Sequence, residues 1–290
     1  MSAAGEGDRW PWVSAKGTTL TATIVLVHGL WMTPKSWETW IGRFSADGHT
    51  VLAPAWPGIG DRTPQQVRAN PEALKGIGLK EIADHYERII VALPERPIIM
   101  GHSFGGALTQ MLADRRLGRA YVGVAPGQPA GITTLPPSTI RTGFPILRNP
   151  FNRNGASPIS KAHFHFTFGH DLSREASDAI WEQYAINSYN RVFFEGVASA
   201  FNEKGGVTHV DYGRTDRAPL LVIGGGIDHV VPPAICKAIV AKYRASGGPG
   251  LVEYLEFAGR THRLVSQDGW EEIADYALDW ALEHATEPDI

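Results

Sequence analysis

Pro97-Ile98-Ile99-Met100-Gly101-His102-Ser103-Phe104-Gly105-Gly106 is the stretch on which the fold turns. Pro97 to Met100 is apolar without alternation, as a short strand covered on both faces must be. The residues after Ser103, to about Arg115, read as a helix. Gly101 to Gly105 fits the pattern G-x-S-x-G, so Ser103 falls on a tight turn that passes directly from strand to helix. Such a turn has no room for side chains beside the serine, which explains glycine on either side. It also lifts the hydroxyl above the sheet edge, at the positive N-terminus of the helix that follows.

The same alternation extends in both directions. Thr23 to Val27 reads as a buried strand ending in His28-Gly29-Leu30-Trp31. A helix is expected from Pro34 to Ser45, with Thr33 as N-cap and Pro34 in the first turn. Thr50 to Pro54 is a second strand, followed by the Pro57-Gly58-Ile59-Gly60 loop. Leu79 to Leu93 is a helix with Ile82, Tyr86, Ile89, Ile90 and Leu93 on one face, closed by Pro94 and Pro97. Further strands follow at Tyr121 to Ala125, Leu220 to Ile223 and Leu251 to Phe257, before an amphipathic helix from Trp270 to His284. Strands alternating with helices predict an α/β class, with a six-stranded, mostly parallel sheet covered on both faces.

Between the fourth and fifth strands the alternation stops. Gly127 to Arg217 is rich in Pro, Asn and aromatics, with helical periodicity near Glu175 to Tyr184, and is too long for a simple crossover. An inserted lid over residues 127–217 is expected, with residues 1–126 and 218–290 forming the core. Of its Phe144, Phe151, Phe164, Phe166, Phe168, Trp181, Tyr184, Phe193 and Phe194, most should form the lid's own core and a minority should face Ser103. The cover is therefore apolar and suits a small, largely apolar substrate.

Composition narrows the function classes. The 290 residues carry 27 basic and 30 acidic side chains, a formal charge of −3, with no basic stripe. That distribution argues against nucleic acid and membrane partners and for a small molecule; homo-oligomerization stays open. Cys236 is the only cysteine, which excludes an intrachain disulfide and a cysteine-built metal site. It lies in the apolar helical stretch Ala234 to Tyr243, where it reads as a core filler. Met1 to Trp12 lacks an apolar signal core and no run reaches transmembrane length, so a cytoplasmic location is expected.

Serine is a poor nucleophile at neutral pH and needs a positioned base. His262, in Gly259-Arg260-Thr261-His262, follows the last strand at the sheet edge where open α/β folds bind ligands. Asp228 follows the fifth strand and can accept the Nδ1–H of His262, fixing the tautomer whose Nε2 faces Ser103. The rival place for the acid, after the fourth strand, reads Val124-Ala125-Pro126-Gly127 and has no carboxylate. Asp211 and Asp216 precede the fifth strand and should sit at the opposite edge. Acyl transfer also needs donors aimed at an oxyanion. The Phe104 N–H is one, and the Leu30 N–H is preferred over that of Trp31 for the other. Trp31 and Val230, beside these loops, are expected to line the substrate pocket. No cofactor is implied: Gly224-Gly225-Gly226 lacks dinucleotide spacing, and His163-Phe164-His165 reads as structural rather than metal-ligating.

With these residues in place the chain resembles the α/β-hydrolase superfamily in its serine esterase, lipase and lactonase branches, from Ile24 to the C-terminal helix. The resemblance implies Ser103 as nucleophile, Asp228 as acid, His262 as base, and Leu30 and Phe104 as oxyanion donors. It also implies an antiparallel start to the sheet, which this chain lacks or keeps only as a fragment within Trp10 to Leu20. The implied activity is cleavage of a carboxylic ester, lactone or related acyl bond. Serine at 103 argues against relatives with an aspartate nucleophile. Carbon–carbon hydrolysis, hydroxynitrile cleavage, perhydrolysis, cofactor-free oxygenation and a slow-turnover ligand-binding role remain the alternatives on this fold.

Overall fold

Six strands form one sheet in the order β2-β1-β3-β4-β5-β6, and every neighbouring pair runs parallel. They are β1 (Thr23–Val27), β2 (Thr50–Leu52), β3 (Ile98–His102), β4 (Ala120–Val124), β5 (Leu220–Gly225) and β6 (Val252–Phe257). The computed structural model describes residues 21–286, so Trp10 to Leu20, the stretch left open for a fragment of an otherwise missing antiparallel start, lies outside the described residues. Every residue of β1, β3, β4 and β5 is buried, whereas the edge strands β2 and β6 are partly open. This explains why the central strands read as unbroken apolar runs.

The helices are α1 (Glu38–Ala46), α2 (Pro64–Ala69), α3 (Leu79–Ile90), α4 (Phe104–Asp114), α5 (Pro137–Leu147), α6 (Lys161–Thr167), α7 (Arg174–Tyr184), α8 (Asn190–Ala200), α9 (Pro233–Ala245) and α10 (Trp270–His284). The first helix begins as a 3₁₀ turn over Pro34–Trp37, where Thr33 Oγ1 accepts the Lys35 N–H at 3.3 Å. α3 stops at Ile90, short of Leu93, whose position before Pro94 disfavours the helical conformation. β2 ends before Pro54, which has no N–H to give a ladder.

Four helices, α5 to α8, occupy the segment between β4 and β5. Only α7 was visible in the sequence. α5 contains Pro145 and α8 contains Gly196, which blur helical periodicity. α6 contains His163-Phe164-His165-Phe166, whose alternation suits a strand; Ser160 instead caps it as a helix, its Oγ accepting the His163 N–H at 3.2 Å.

The strand order positions the site. The chain leaves β1 toward β2 on one side and then crosses to β3 on the other, so the connections after β1 and β3 diverge. Divergence opens a crevice beyond the carboxyl ends of these two strands. His28 to Trp31 and Ser103 stand at that point. Among the described residues no helix is long and apolar enough to cross a membrane.

Candidate active site

Ser103 has φ +58° and ψ −125°, a region that costs on the order of 1–3 kcal/mol for a residue with a Cβ. The surroundings enforce it. A Cβ at Gly101 would sit 2.2 Å from the Gly105 carbonyl oxygen, and one at Gly105 would sit 2.1 Å from that of Val27. The Ser103 N–H donates to Val124 O at 3.0 Å, and its carbonyl accepts from Gly106 at 2.8 Å and Gly127 at 2.7 Å. Its backbone is thus bonded to β4, α4 and the start of the insert, while the hydroxyl has no hydrogen bond to a described residue.

Asp228 and His262 meet as expected. His262 Nδ1 lies 2.6 Å from Asp228 Oδ2, and both side chains are fully buried. The other carboxylate oxygen, Oδ1, accepts the Val230 N–H at 2.6 Å and the Val231 N–H at 2.9 Å. Both oxygens are therefore engaged, and the carboxylate cannot swing without losing backbone bonds. With Nδ1 donating to Asp228, Nε2 is the atom left to accept a proton. It is buried and has no partner among the described residues. A buried polar atom without a partner calls for an explanation in function. Ser103 Oγ and His262 Nε2 do not form a hydrogen bond in this structure.

His102 and His28 support the site, and neither was singled out from the sequence. His102 Nε2–H donates to the His262 carbonyl at 2.8 Å, and the two rings pack with centroids 4.7 Å apart. Burial, with His262 alongside, holds the His102 imidazole well below its ordinary pKa, so it is neutral. His28 is fully buried and stacked on Trp56. Its Nδ1–H donates to Gly29 O at 2.9 Å and its Nε2 accepts the Trp56 N–H at 3.1 Å. Burial pushes its pKa down to about 4. These bonds fix the 28–31 loop against the serine: a Cβ at Gly29 would lie 2.9 Å from Ser103 Cβ. Among the described residues no acceptor takes the Leu30 or Phe104 N–H, and the two residues flank Ser103 from β1 and from α4.

The insert closes over this edge. Phe168 packs on His262 with centroids 5.3 Å apart, and Phe193 packs on Phe104 at 5.5 Å and on Trp31 at 5.7 Å. Phe164 stacks on Phe168 and, with Tyr184, lines the cleft that touches His262 and His102. Trp181 ties the insert to the core, its ring under the Arg68 guanidinium at 4.4 Å, whereas Phe144 and Phe151 are 58% and 100% exposed. The insert is pinned to the loops that carry the acid and the base. Arg263 pairs with Asp171 at 3.0 Å, and Thr139 Oγ1 donates to Val230 O at 2.9 Å. Arg141 lies over Phe166, Phe166 stacks on His229, and His229 stacks on His170 at 3.8 Å, next in sequence to Asp228.

Trp31 lines a cavity of about 380 Å³ within the insert, and a cleft of about 40 Å³ touches His262 and His102. Ser103 lines neither. Val230, expected at the pocket wall, also lines neither; its contribution is the N–H that holds Asp228. Among the described residues no group of three or more His, Cys, Asp or Glu is placed to hold a metal ion. His163 and His165 lie two apart on a helix and diverge, and His163 Nε2–H donates to Thr142 O at 2.9 Å.

Comparison with known proteins agrees with this architecture. A model of the alpha/beta hydrolase family matches residues 24–276. The solved monoacylglycerol lipase of Paleococcus ferrophilus superposes with a TM-score of 0.63 at 18% identity, covering 91% of this chain and 95% of that one. An extracellular alpha/beta-hydrolase from a Paenibacillus species gives 0.62 at 18%, covering 92% and 100%. A methylesterase from Arabidopsis gives 0.64 at 13%, covering 91% and 100%. At these identities the likeness is one of fold. A search of curated proteins gives no match.

Proposed function

The chain belongs to the alpha/beta hydrolase family, and from that premise we propose that it is a serine hydrolase cleaving a carboxylic ester, lactone or related acyl bond of a small, largely apolar substrate. The observation that carries this reading is the His262 imidazole. Asp228 orients it at 2.6 Å, and its Nε2 is buried and unpartnered beside the strained turn of Ser103. A proton acceptor kept dry, on a residue whose carbonyl and ring pack against His102 at the end of β3, suits a hydroxyl nucleophile.

In the proposed mechanism His262 Nε2 takes the Ser103 proton as Oγ attacks the substrate carbonyl. The negative charge that develops on the carbonyl oxygen meets the Leu30 and Phe104 N–H groups, each worth about 3 kcal/mol to the transition state. Imidazolium then gives its proton to the leaving oxygen, leaving an acyl-Ser103. Water, deprotonated by the same nitrogen, hydrolyses the acyl enzyme and restores the serine. The first step needs Oγ and Nε2 to come into hydrogen-bond contact, a contact that commonly tightens only when substrate binds. Residues 127–217 act as the lid, with Phe168 and Phe193 excluding water from the reacting atoms.

Ser103→Ala tests the reading. It should abolish labelling by a fluorophosphonate probe and lower kcat on short p-nitrophenyl esters by roughly 10⁴ or more. Undiminished labelling of that variant would assign the reactive hydroxyl elsewhere. Stoichiometric binding without turnover by the unmodified protein would instead mark a ligand-binding protein.

A further inference from the structure

The cavity of about 380 Å³ has no part in the mechanism above, yet it falls within the size range of small-ligand pockets, about 300–1,000 Å³. At roughly 30 Å³ for each water-sized group it accommodates about a dozen non-hydrogen atoms. Its walls are mixed. Trp31, Ile146 and Ile159 are buried and apolar, each 4% exposed. Ser157 and Ser160 also face it, but their hydroxyls are engaged: Ser157 Oγ accepts from Asn190 Nδ2 at 2.9 Å, and Ser160 caps α6. Arg148 and Asn149 lie at its exposed rim. Among the described residues neither the Arg148 guanidinium nor the Asn149 side-chain amide has a partner. Both offer N–H donors, so the group they suit is an oxygen acceptor.

Trp31 ties this cavity to the serine. Gly29, two residues earlier, packs against Ser103, and the Trp31 indole touches Phe193, which touches Phe104 next to the serine. The indole is the wall on the side of the reacting atoms. Its backbone has φ +66°, a left-handed conformation that is an outlier for a bulky aromatic residue. Such conformations persist only when the surroundings hold them, and they cluster at ligand clamps and switch regions. The surroundings here are insert residues: Ile186 N–H donates to Trp31 O at 2.8 Å, and His163, Phe168 and Phe193 ring the indole.

We propose that this cavity is the subsite for the larger half of the substrate, an ester whose chain carries an oxygen acceptor at its far end. Trp31 is the partition that turns aside to join the cavity to Ser103. The apolar middle of the chain packs on Trp31, Ile146 and Ile159, and the terminal carbonyl or carboxylate accepts from Arg148 and Asn149. This rests on the ester-hydrolase reading and names the substrate class for it.

Three substrates of one chain length test it on the full chain: p-nitrophenyl hexanoate, methyl p-nitrophenyl adipate and the p-nitrophenyl adipate half-ester. They differ only in lacking an acceptor, carrying a neutral one, or carrying an anionic one. At least one adipate should exceed the hexanoate in kcat/KM by about tenfold, as one added hydrogen bond predicts. The better adipate shows whether the neutral or the anionic acceptor is preferred. In Arg148→Ala/Asn149→Ala, which alters only exposed side chains, that ratio should fall to within about twofold of one. Ile159→Trp, folded by circular dichroism, should fill the cavity and depress the adipates more than p-nitrophenyl acetate. Hexanoate matching both adipates, or a ratio that survives the double substitution, would overturn the proposal. If no ester is turned over at all, the hydrolase reading fails instead. The cavity is then judged by calorimetric titration of Ser103→Ala with monomethyl adipate. Binding abolished by the double substitution supports the subsite, and absence of binding ends it.

Discussion

Asp228→Asn separates geometry from charge more cleanly than any other change to the site. Asparagine is isosteric with aspartate, so the outcome depends on which way its amide faces. In one orientation Oδ1 keeps the Val230 and Val231 N–H bonds, now at 2.6 and 2.9 Å, and Nδ2 faces His262. In the other, Nδ2 meets two backbone donors, leaving buried N–H groups unpaired at about 1–3 kcal/mol each. The first orientation should win by roughly 4 kcal/mol, about a thousandfold in population. It presents a donor to His262 Nδ1, which must then be unprotonated, and the imidazole proton moves to Nε2. A protonated Nε2 cannot take the Ser103 proton, so kcat should fall about 10⁴-fold, as expected for the wrong tautomer in a Ser-His-Asp site. Exchanging charge-assisted for neutral hydrogen bonds should lower stability by only about 1–2 kcal/mol. The assay is steady-state hydrolysis of p-nitrophenyl butyrate, beside a urea unfolding curve for each protein. A folded variant that keeps kcat within tenfold of the parent would refute the reasoning, because Asp228 would not then set the tautomer.

Gly29→Ala places a methyl 2.9 Å from Ser103 Cβ and 3.0 Å from His102 O. It should cost about 1–3 kcal/mol in urea unfolding, and displacing the Leu30 N–H should lower kcat by 10²–10³; an unchanged kcat would remove Leu30 from the oxyanion site. His28 should make the fold acid-sensitive. Its pKa of about 4 when folded lies below the ordinary 6.5, so the unfolded chain binds the proton more tightly and stability is lost as pH falls from about 6.5 toward 4. The urea-unfolding advantage of the parent over His28→Gln should shrink by about 2–3 kcal/mol between pH 7.5 and 4.5, and a constant difference would contradict burial of a neutral imidazole. His229→Ala removes the ring between Phe166 and His170 and the donor to Phe166 O at 2.9 Å. It should cost about 1–3 kcal/mol and speed proteolytic nicking within residues 127–217, with His229→Phe restoring part of the resistance; equal nicking rates would show that the stack does not hold the insert down.

The residues of the site were legible in the sequence because they lie in local patterns at predictable places. Ser103, Asp228 and His262 each follow a short apolar run, and in a parallel sheet every such run ends at the same edge. The glycines at 101 and 105 were legible because the strand-to-helix turn is a local steric problem. The insert was another matter. Its length and aromatic content announced it, but α5, α6 and α8 hid behind Pro145, Gly196 and an alternating His-Phe pattern. Those helices are held by contacts with the core and with one another, which outweigh local preference.

What the sequence by itself determined was therefore the α/β pattern, the serine turn and the candidates for base and acid, all of which depend on neighbours a few residues apart. Only the tertiary structure decided the rest. It placed β1 beside β3, which brings Gly29 against Ser103. It brought Phe168 onto His262 and Phe193 onto Phe104. It made His28 and His102 neutral positioning groups by burying them, and it left a cavity behind Trp31. These features depend on which side chains from distant parts of the chain share a volume. That is settled by the packing of whole elements, and no residue's sequence neighbours encode it.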